Sequence, residues 1–412
     1  MARLVAAARR HGSAPFASVA GGSALGQLAL LASLPVVARI FSPAQIGVFG
    51  VVLAVGNVAC IVVTARLEQV LPRLRPDRRW AVARLGAVAG VALAIPAGIA
   101  FSAVLGHTAP MDLVSTALLV TSLVLLNVGT FASLAVQDYR SVAALRLSNG
   151  VITAMASVVG GLIHQATWVL VVAYAVGNLA GAGWSFAAVA RLRRERGPDR
   201  SAEVVAGERL GWFALNVGSG AVLSNLSVAM PLIGASILFG DDVAGSFFLA
   251  RRLLMGPTQL IAASVSEVSY AMVAREGAGR MSVFFHDWLR RSTVPAVMLL
   301  ALGLVAAPLA PIVVGDGYAD LTWVIILLTT PAVAQMIATS FANLLLALRL
   351  EHIRTMWNVA RLSGLVLIFL WAQETDAGYV SVVATYAAWL LITYGILLVL
   401  TWQGVRRAGA AL

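Results

Sequence analysis

Apolar residues run along this chain in stretches of about 20, interrupted by short polar clusters, with neither the strict alternation of a half-buried strand nor the one-sided stripe of a soluble amphipathic helix. Twelve such stretches lie at 16–38, 46–65, 85–105, 113–136, 145–163, 168–190, 211–238, 245–273, 292–314, 321–346, 357–372 and 379–402. Each approaches the ~20 residues that an α-helix needs to cross the hydrocarbon core. The pattern predicts an all-α polytopic membrane protein of twelve transmembrane helices. The connections are too short for an extramembrane domain. The opening MARLVAAARRHGSAPF is basic and leads into an apolar run, like a signal peptide, but that run continues to about residue 38 and predicts an uncleaved first helix.

Composition agrees. Of the 412 residues 60% are hydrophobic and 11% charged, against about 25% charged in soluble proteins. One cysteine, Cys60, excludes a disulfide framework and a cysteine-based metal site. All 29 basic residues are arginine. Their net positive charge does not predict nucleic-acid binding, because they cluster in short loops. With the N-terminus in the cytoplasm, 26 of the 29 fall on cytoplasmic segments, Arg140, Arg146, Arg349, Arg354 and Arg361 among them. The outer loops GHTAPMD, HQAT, GDDVAG and QETDAG carry no arginine. This positive-inside bias predicts that both termini are cytoplasmic. Arg39, Arg251 and Arg252 are the exceptions. Arg39 caps the outer end of the first helix.

The chain repeats itself. Phe41, Gly47 and Phe49 recur as Phe239, Gly245 and Phe247, 198 residues on, and Gly22 and Pro35 as Gly218 and Pro231 after 196. An offset spanning six helices predicts two parallel six-helix lobes, 1–190 and 210–412. The arginine-rich stretch 191–209 links them as a cytoplasmic segment.

Chemistry concentrates in few places. Arg251 and Arg252 lie side by side inside the eighth apolar stretch, where an arginine at the bilayer centre costs roughly 2.5–3.5 kcal/mol on insertion scales. Helical phasing puts Arg252 on a small and polar line with Gly256, Gln259, Ala263, Ser266 and Tyr270, and Glu267 close by. Arg251 sits about 100° around, near Met255 and Ala262, in reach of a neighbouring helix or the headgroups. The first helix carries Gly22, Ser23, Gly26, Gln27 and Ser33, and the seventh Asn216, Gly218, Ser219, Gly220, Ser224, Asn225 and Ser227. Such lines read either as close helix packing or as the lining of a hydrated cavity. Arg66 and Glu68 form a charge pair at the inner end of the second helix, either headgroup-level or the rim of a cytoplasmic mouth. Glu267 and Glu68 are the candidate coupling acids. Prolines fall within spans at Pro35, Pro96, Pro231, Pro257, Pro308 and Pro331, and Pro257, after Gly256, is the candidate moving kink. The five histidines form no metal spacing and no triad, so neither a metal nor a cofactor is expected.

The hairpin LPVVARIFSPAQIGVFGVVLAVGNV with the following TARLEQVLPR resembles the start of the bacterial polysaccharide transporter family, the Wzx-type oligosaccharide flippases. AGSFFLARRLLMGPTQLIAASVSEVSYAMVARE is similar to that family's eighth helix, and GDGYADLTWVIILLTTPAVAQMIATSFANLLLAL to its entry into the tenth. The resemblance covers essentially the whole chain. It implies the fold of the multidrug/oligosaccharidyl-lipid/polysaccharide exporter superfamily: two six-helix lobes around a central cavity, with alternating access. It implies a carrier in the bacterial cytoplasmic membrane, moving an undecaprenyl-pyrophosphate-linked oligosaccharide outward for surface polysaccharide biosynthesis. The partners implied are that lipid-linked substrate, the membrane lipids and the polysaccharide polymerase machinery. Arginine suits its phosphate oxygens through its fork of donors. Substrate contacts are then expected from Arg252, Arg251, Gln259, Arg66, Gln27, Asn216 and Asn225. The chain departs from the family in having no charge between Phe16 and Ala38.

Two other classes compete. A multidrug/cation antiporter of the same fold wants a buried carboxylate, which the first, second and seventh stretches do not offer. A membrane glycosyltransferase or polymerase wants a sizeable outer loop with catalytic residues, and these loops are short. The segment LEQVLPRLRPDRRW also lacks the G-x-x-x-D-R pattern of a major-facilitator transporter. A transporter without enzymatic activity is the expectation.

Overall fold

A computed structural model describes residues 14–74, 76–104, 106, 109–194, 218–276, 281–315, 317–318, 320–341, 345 and 350–410. Asn216 and most of the predicted linker lie outside them. The chain is an all-α polytopic membrane protein. Its helices are α1 (Ala14–Ile40), α2 (Pro43–Thr64), α3 (Pro76–Val104), α4 (Pro110–Ala135), α5 (Tyr139–Ile163), α6 (Thr167–Gly183), α7 (Phe186–Arg194), α8 (Ser219–Phe239), α9 (Asp241–Glu276), α10 (Met281–Arg291), α11 (Thr293–Val314), α12 (Leu321–Ser340), α13 (Glu351–Thr375) and α14 (Tyr379–Ala410), with a 3-10 turn at Leu67–Arg73. Ten described helices are long and apolar enough to cross a membrane, and the pair α6–α7, bent by 45°, makes eleven. The arginine-bearing α9 is not among them, so the twelve-span count belongs to the proposal below.

Local signals set the helix starts. Ser42 and Gln45 form a reciprocal capping box, Ser42 N donating to Gln45 Oε1 at 2.9 Å and Gln45 N to Ser42 Oγ at 3.3 Å, with Pro43 at the first helical position. Asp138 caps α5 by accepting from Ser141 N at 3.2 Å.

The described residues divide into two compact units, 1–41 with 51–225 and 42–50 with 226–412. In the first unit α1 lies against α5 through glycine. A Cβ at Gly22 would strike the backbone of Ala143, one at Gly26 would lie 3.3 Å from the carbonyl carbon of Arg146, and one at Gly150 would meet the backbone of Gly26. The small-residue line of α1 is therefore a packing seam along its glycines. Its serines bond to their own helix, Ser23 Oγ to Val19 O at 2.7 Å and Ser33 Oγ to Leu30 O at 2.8 Å. Arg146 sits two turns into α5 rather than in a cytoplasmic loop, and its Nη1 donates to Ser23 Oγ at 2.8 Å. Asn149 Nδ2 donates to Asn178 Oδ1 at 2.7 Å and Asn178 Nδ2 to Ser122 Oγ at 3.0 Å, tying α5, α6 and α4 together inside the unit. Outward-facing residues are apolar, Leu162 and Ile163 on α5 for example, as lipid contact requires.

Adjacent glycines of α1 give a matched test. Nothing lies within 4 Å of a Cβ at Gly21, whereas Gly22 abuts backbone. Gly22→Val is expected to destabilise the protein by about 1–3 kcal/mol and Gly21→Val to change little. Equal melting temperatures of the two variants in detergent would contradict the seam.

The second unit has aromatic clusters at two levels. Phe285, Trp288, Phe341 and Val405 pack with Trp402, and Ile368, Ala372 and Val382 with Phe239, Phe369 and Trp389. Here the repeat-related glycines meet. A Cβ on Gly47 would strike the Asp241 carbonyl and lie 2.9 Å from Gly245 N; one on Gly245 would strike the Pro43 carbonyl and lie 3.3 Å from Gly47 N. Pro43 and Asp241 are themselves 198 residues apart. The contact is therefore isologous, each repeat offering the same patch to the other.

Candidate functional site

Helix α9 runs without a break through Pro257 and carries the arginine pair ten and eleven residues from its start, about 15 Å along the axis at 1.5 Å per residue. The two arginines diverge. Arg251 Nη1 donates to the carbonyl oxygen of Val228 on α8. Pro231 supplies no N–H to the carbonyl of Ser227, which opens the hydrogen-bond ladder of α8 beside that acceptor. Arg251 shares its side of α9 with the buried Met255, Thr258 and Ala262. Arg252 is half-buried, its Cζ 5.6 Å from the centroid of the Phe248 ring one turn earlier. Phe248 packs edge-on against Phe49 at 5.6 Å and lies where a Cβ of Gly50 would be. The glycine thus leaves room for the aromatic platform beneath Arg252. Gln259, two turns on from Arg252, is exposed.

The other expected residues do not gather at one place among the described residues. Gln27 is half-buried on α1. Asn225 Nδ2 donates to its own helix at Ala221 O, 2.9 Å away. Glu267 belongs to the backbone of α9, and its side chain lies outside the described residues. Asn216 lies outside them altogether.

Arg66 and Glu68 do come together. Glu68 is 2% exposed, with Arg66 Nη1 3.8 Å from its Oε1 and neither carboxylate oxygen hydrogen-bonded among the described residues. The 3-10 turn that holds it packs on α3 and α4, over a cluster of Val70, Leu71, Leu74, Val82 and Ala132. Its entry is strained, with Ala65 and Arg66 successively left-handed at φ 46° and 59°, a conformation that disfavours any residue with a Cβ. Burial, which disfavours the charged form, holds the Glu68 carboxyl above its ordinary value of 4.5 and outweighs the lowering by Arg66. Between 4.5 and the folded-state value the native chain holds this proton more tightly than the unfolded chain. The stability that Glu68 permits is thus complete below 4.5 and declines as pH rises through that window. Wild-type melting temperature is expected to fall, as pH rises above 4.5, by more than that of Glu68→Gln. Parallel pH profiles would contradict the buried-acid assignment.

Arg361 is the residue that sequence reasoning misplaced. The positive-inside pattern set it on a cytoplasmic segment, but α13 begins at Glu351 and Arg361 lies ten residues in, 4% exposed. That is about 15 Å from the helix start, inside the candidate span His352–Glu374. Its guanidinium stands 4.7 Å from the Trp357 ring, and Nη1 donates to Tyr394 Oη at 3.3 Å. Trp389 Nε1 donates to the Arg361 carbonyl at 3.2 Å, and its ring fills the place of a Cβ at Gly364. A cation over tryptophan gains about 0.5–2 kcal/mol, which offsets part of the insertion cost. The signal that could have found it is Trp357 four residues before Arg361, one turn apart on a helix.

No family model matches the chain, and no curated protein matches it. Solved structures do. A multidrug resistance MATE family transporter of the MOP superfamily, in an inward-facing conformation, superimposes with a TM-score of 0.71 at 13% identity, over 93% of this chain and 95% of that one. The lipid II flippase MurJ, in an inward closed conformation, gives 0.71 at 10% identity over 95% and 90%. A Vibrio cholerae MATE transporter gives 0.60 at 14% identity over 97% of each. At these identities the likeness is one of fold alone, shared with these MATE transporters and with MurJ.

Proposed function

We propose that the chain is a flippase that carries an undecaprenyl-pyrophosphate-linked oligosaccharide from the inner to the outer leaflet of the bacterial cytoplasmic membrane, for surface polysaccharide biosynthesis. The observation that carries this reading is the positive charge inside the helices of the second unit, Arg251 and Arg252 on α9 and Arg361 on α13, while α8, α12 and α14 contain no Asp or Glu and α13 has them only at its ends. A di-anionic pyrophosphate complements that charge, and Arg252, two turns before the exposed Gln259, is its first ligand. Twelve spans in two six-helix lobes, 1–190 and 210–412, with both termini cytoplasmic, complete the proposal. Alternating access needs no covalent chemistry and no cofactor. The surface-polysaccharide polymerase is the expected downstream partner.

A multidrug/cation antiporter of the same fold is the second reading. One observation favours it: the buried Glu68, a carboxylate of the kind that proton exchange needs. Reconstituted vesicles separate the two. The flippase reading expects loss of inner-leaflet polyprenyl-pyrophosphate oligosaccharide without proton-driven uptake of a cationic dye. Dye uptake without lipid movement would replace it with the antiporter.

A further inference from the structure

The bend after α6 carries chemistry of its own. Helix α6 has 17 residues, about 25 Å at 1.5 Å per residue, which nearly crosses a ~30 Å hydrocarbon core. The chain then turns by 45° into α7. The turn is built into the first unit. Trp184 caps α6, the buried Ser185 donates its Oγ to Ala182 O at 2.6 Å, and a Cβ at Gly129 of α4 would lie 2.5 Å from that hydroxyl. One side of α7 is core: Ala188 and Leu192, one turn apart, are buried, and Leu192 joins the cluster of Leu71, Val82 and Ala132. The other side is open and graded. Trp184 is 55% and Phe186 75% exposed at its start, and Arg191, Arg193 and Arg194 are exposed in its last turn. Arg191 Nη1 stands 3.9 Å from Asp138 Oδ2, which ties that turn to the start of α5, where Arg140 is exposed as well. Exposed aromatic rings favour the membrane interface over water, and exposed arginines favour it over hydrocarbon. Both requirements meet at the depth where α6 ends.

We propose that α7 is an interfacial helix that binds anionic phospholipid in the leaflet at the inner end of α6, the cytoplasmic one in the proposed topology. Trp184 and Phe186 seat its start among the upper acyl chains, and Arg193 and Arg194, with the exposed part of Arg191, hold the headgroup oxygens. A zwitterionic headgroup cancels its phosphate with its own ammonium, so a net negative lipid is the better complement. Residues 195–200 carry two acids and two arginines, which leaves the excess positive charge on α7. The proposal concerns the bilayer around the chain and holds whatever the chain transports.

The test uses the full chain in phosphatidylcholine nanodiscs. Ala190→Cys, on the exposed side of α7, carries a fluorophore in a Cys60→Ala background. The quenchers are phosphatidylglycerol and phosphatidylcholine with the same nitroxide on the upper acyl chain. The labelled chain is expected to be quenched by both lipids, with phosphatidylglycerol preferred at least about fivefold and less so at high salt. Arg193→Gln with Arg194→Gln, which leaves the Arg191–Asp138 pair in place, is expected to remove most of that preference while quenching by phosphatidylcholine persists. Equal quenching by the two lipids before any arginine is changed overturns the proposal, and so does an undiminished preference in the double variant. Quenching by neither lipid also overturns it, because α7 then faces water or another protein. The flippase reading survives each of these outcomes, since no polyprenyl lipid takes part.

Discussion

Replacing Arg252 by alanine is expected to bring export to background while the protein inserts and accumulates normally. Arg252 lies on the side of α9 that leads to exposed Gln259, its guanidinium over the Phe248 ring, while Arg251 donates to the Val228 carbonyl of α8. Its removal leaves a desolvated pyrophosphate one charged partner short. Truncating one member of a buried charge pair costs about 2–5 kcal/mol, so transport is expected to fall by about 30-fold or more. Arg252→Lys keeps the charge without the planar fork and is expected to fall between the two. Wild-type export by the alanine variant would return Arg252 to a structural role.

The second large effect is at the glycine crossing. At Gly47 even a single added carbon strikes the Asp241 carbonyl, and backbone on both sides leaves no side chain free to swing away. Valine adds two more carbons at that point. Gly47→Val is expected to destabilise the protein by about 3 kcal/mol, the upper range for overpacking. The mirrored variant Gly245→Val should behave alike, because its own Cβ meets Pro43 in the same way. Gly395 on α14 has nothing within 4 Å of its Cβ, and Gly395→Ala is expected to stay within about 0.5 kcal/mol of wild type, as surface changes do. Melting curves of the three variants in one detergent decide it. Similar curves for all three would mean that the isologous contact does not hold the helices.

The same two regions show what sequence could and could not convey. Helix positions were legible because twenty-residue apolar runs have one common structural outcome in a bilayer, and the 198-residue offset marked Gly47 and Gly245 as equivalents. That they touch was not legible, since periodicity reports a residue's own helix and not its neighbour. The glycine line of α1 admitted packing or a cavity, and only the backbone of Ala143 and Gly26 shows the seam. Phasing did separate Arg251 from Arg252, because 100° is a property of the helix itself. It gave no means to see Phe248 under Arg252 or the Val228 carbonyl beside Arg251. Arg361 was misplaced for a related reason. Counting arginines by segment assumes that a charge near an apolar edge lies outside it, and the tryptophan and tyrosine that shelter this one come partly from the next helix. The burial of Glu68 was not legible because it depends on a short 3-10 turn entered through two left-handed residues, which no apolar period encodes.

The sidedness of the lipid-linked oligosaccharide in a strain lacking this protein tests the central claim most directly. The flippase account predicts that the polyprenyl-pyrophosphate glycan accumulates on the inner leaflet and disappears from the outer one, with restoration by the wild-type chain and not by Arg252→Ala. Normal outer-leaflet glycan in that strain would contradict it.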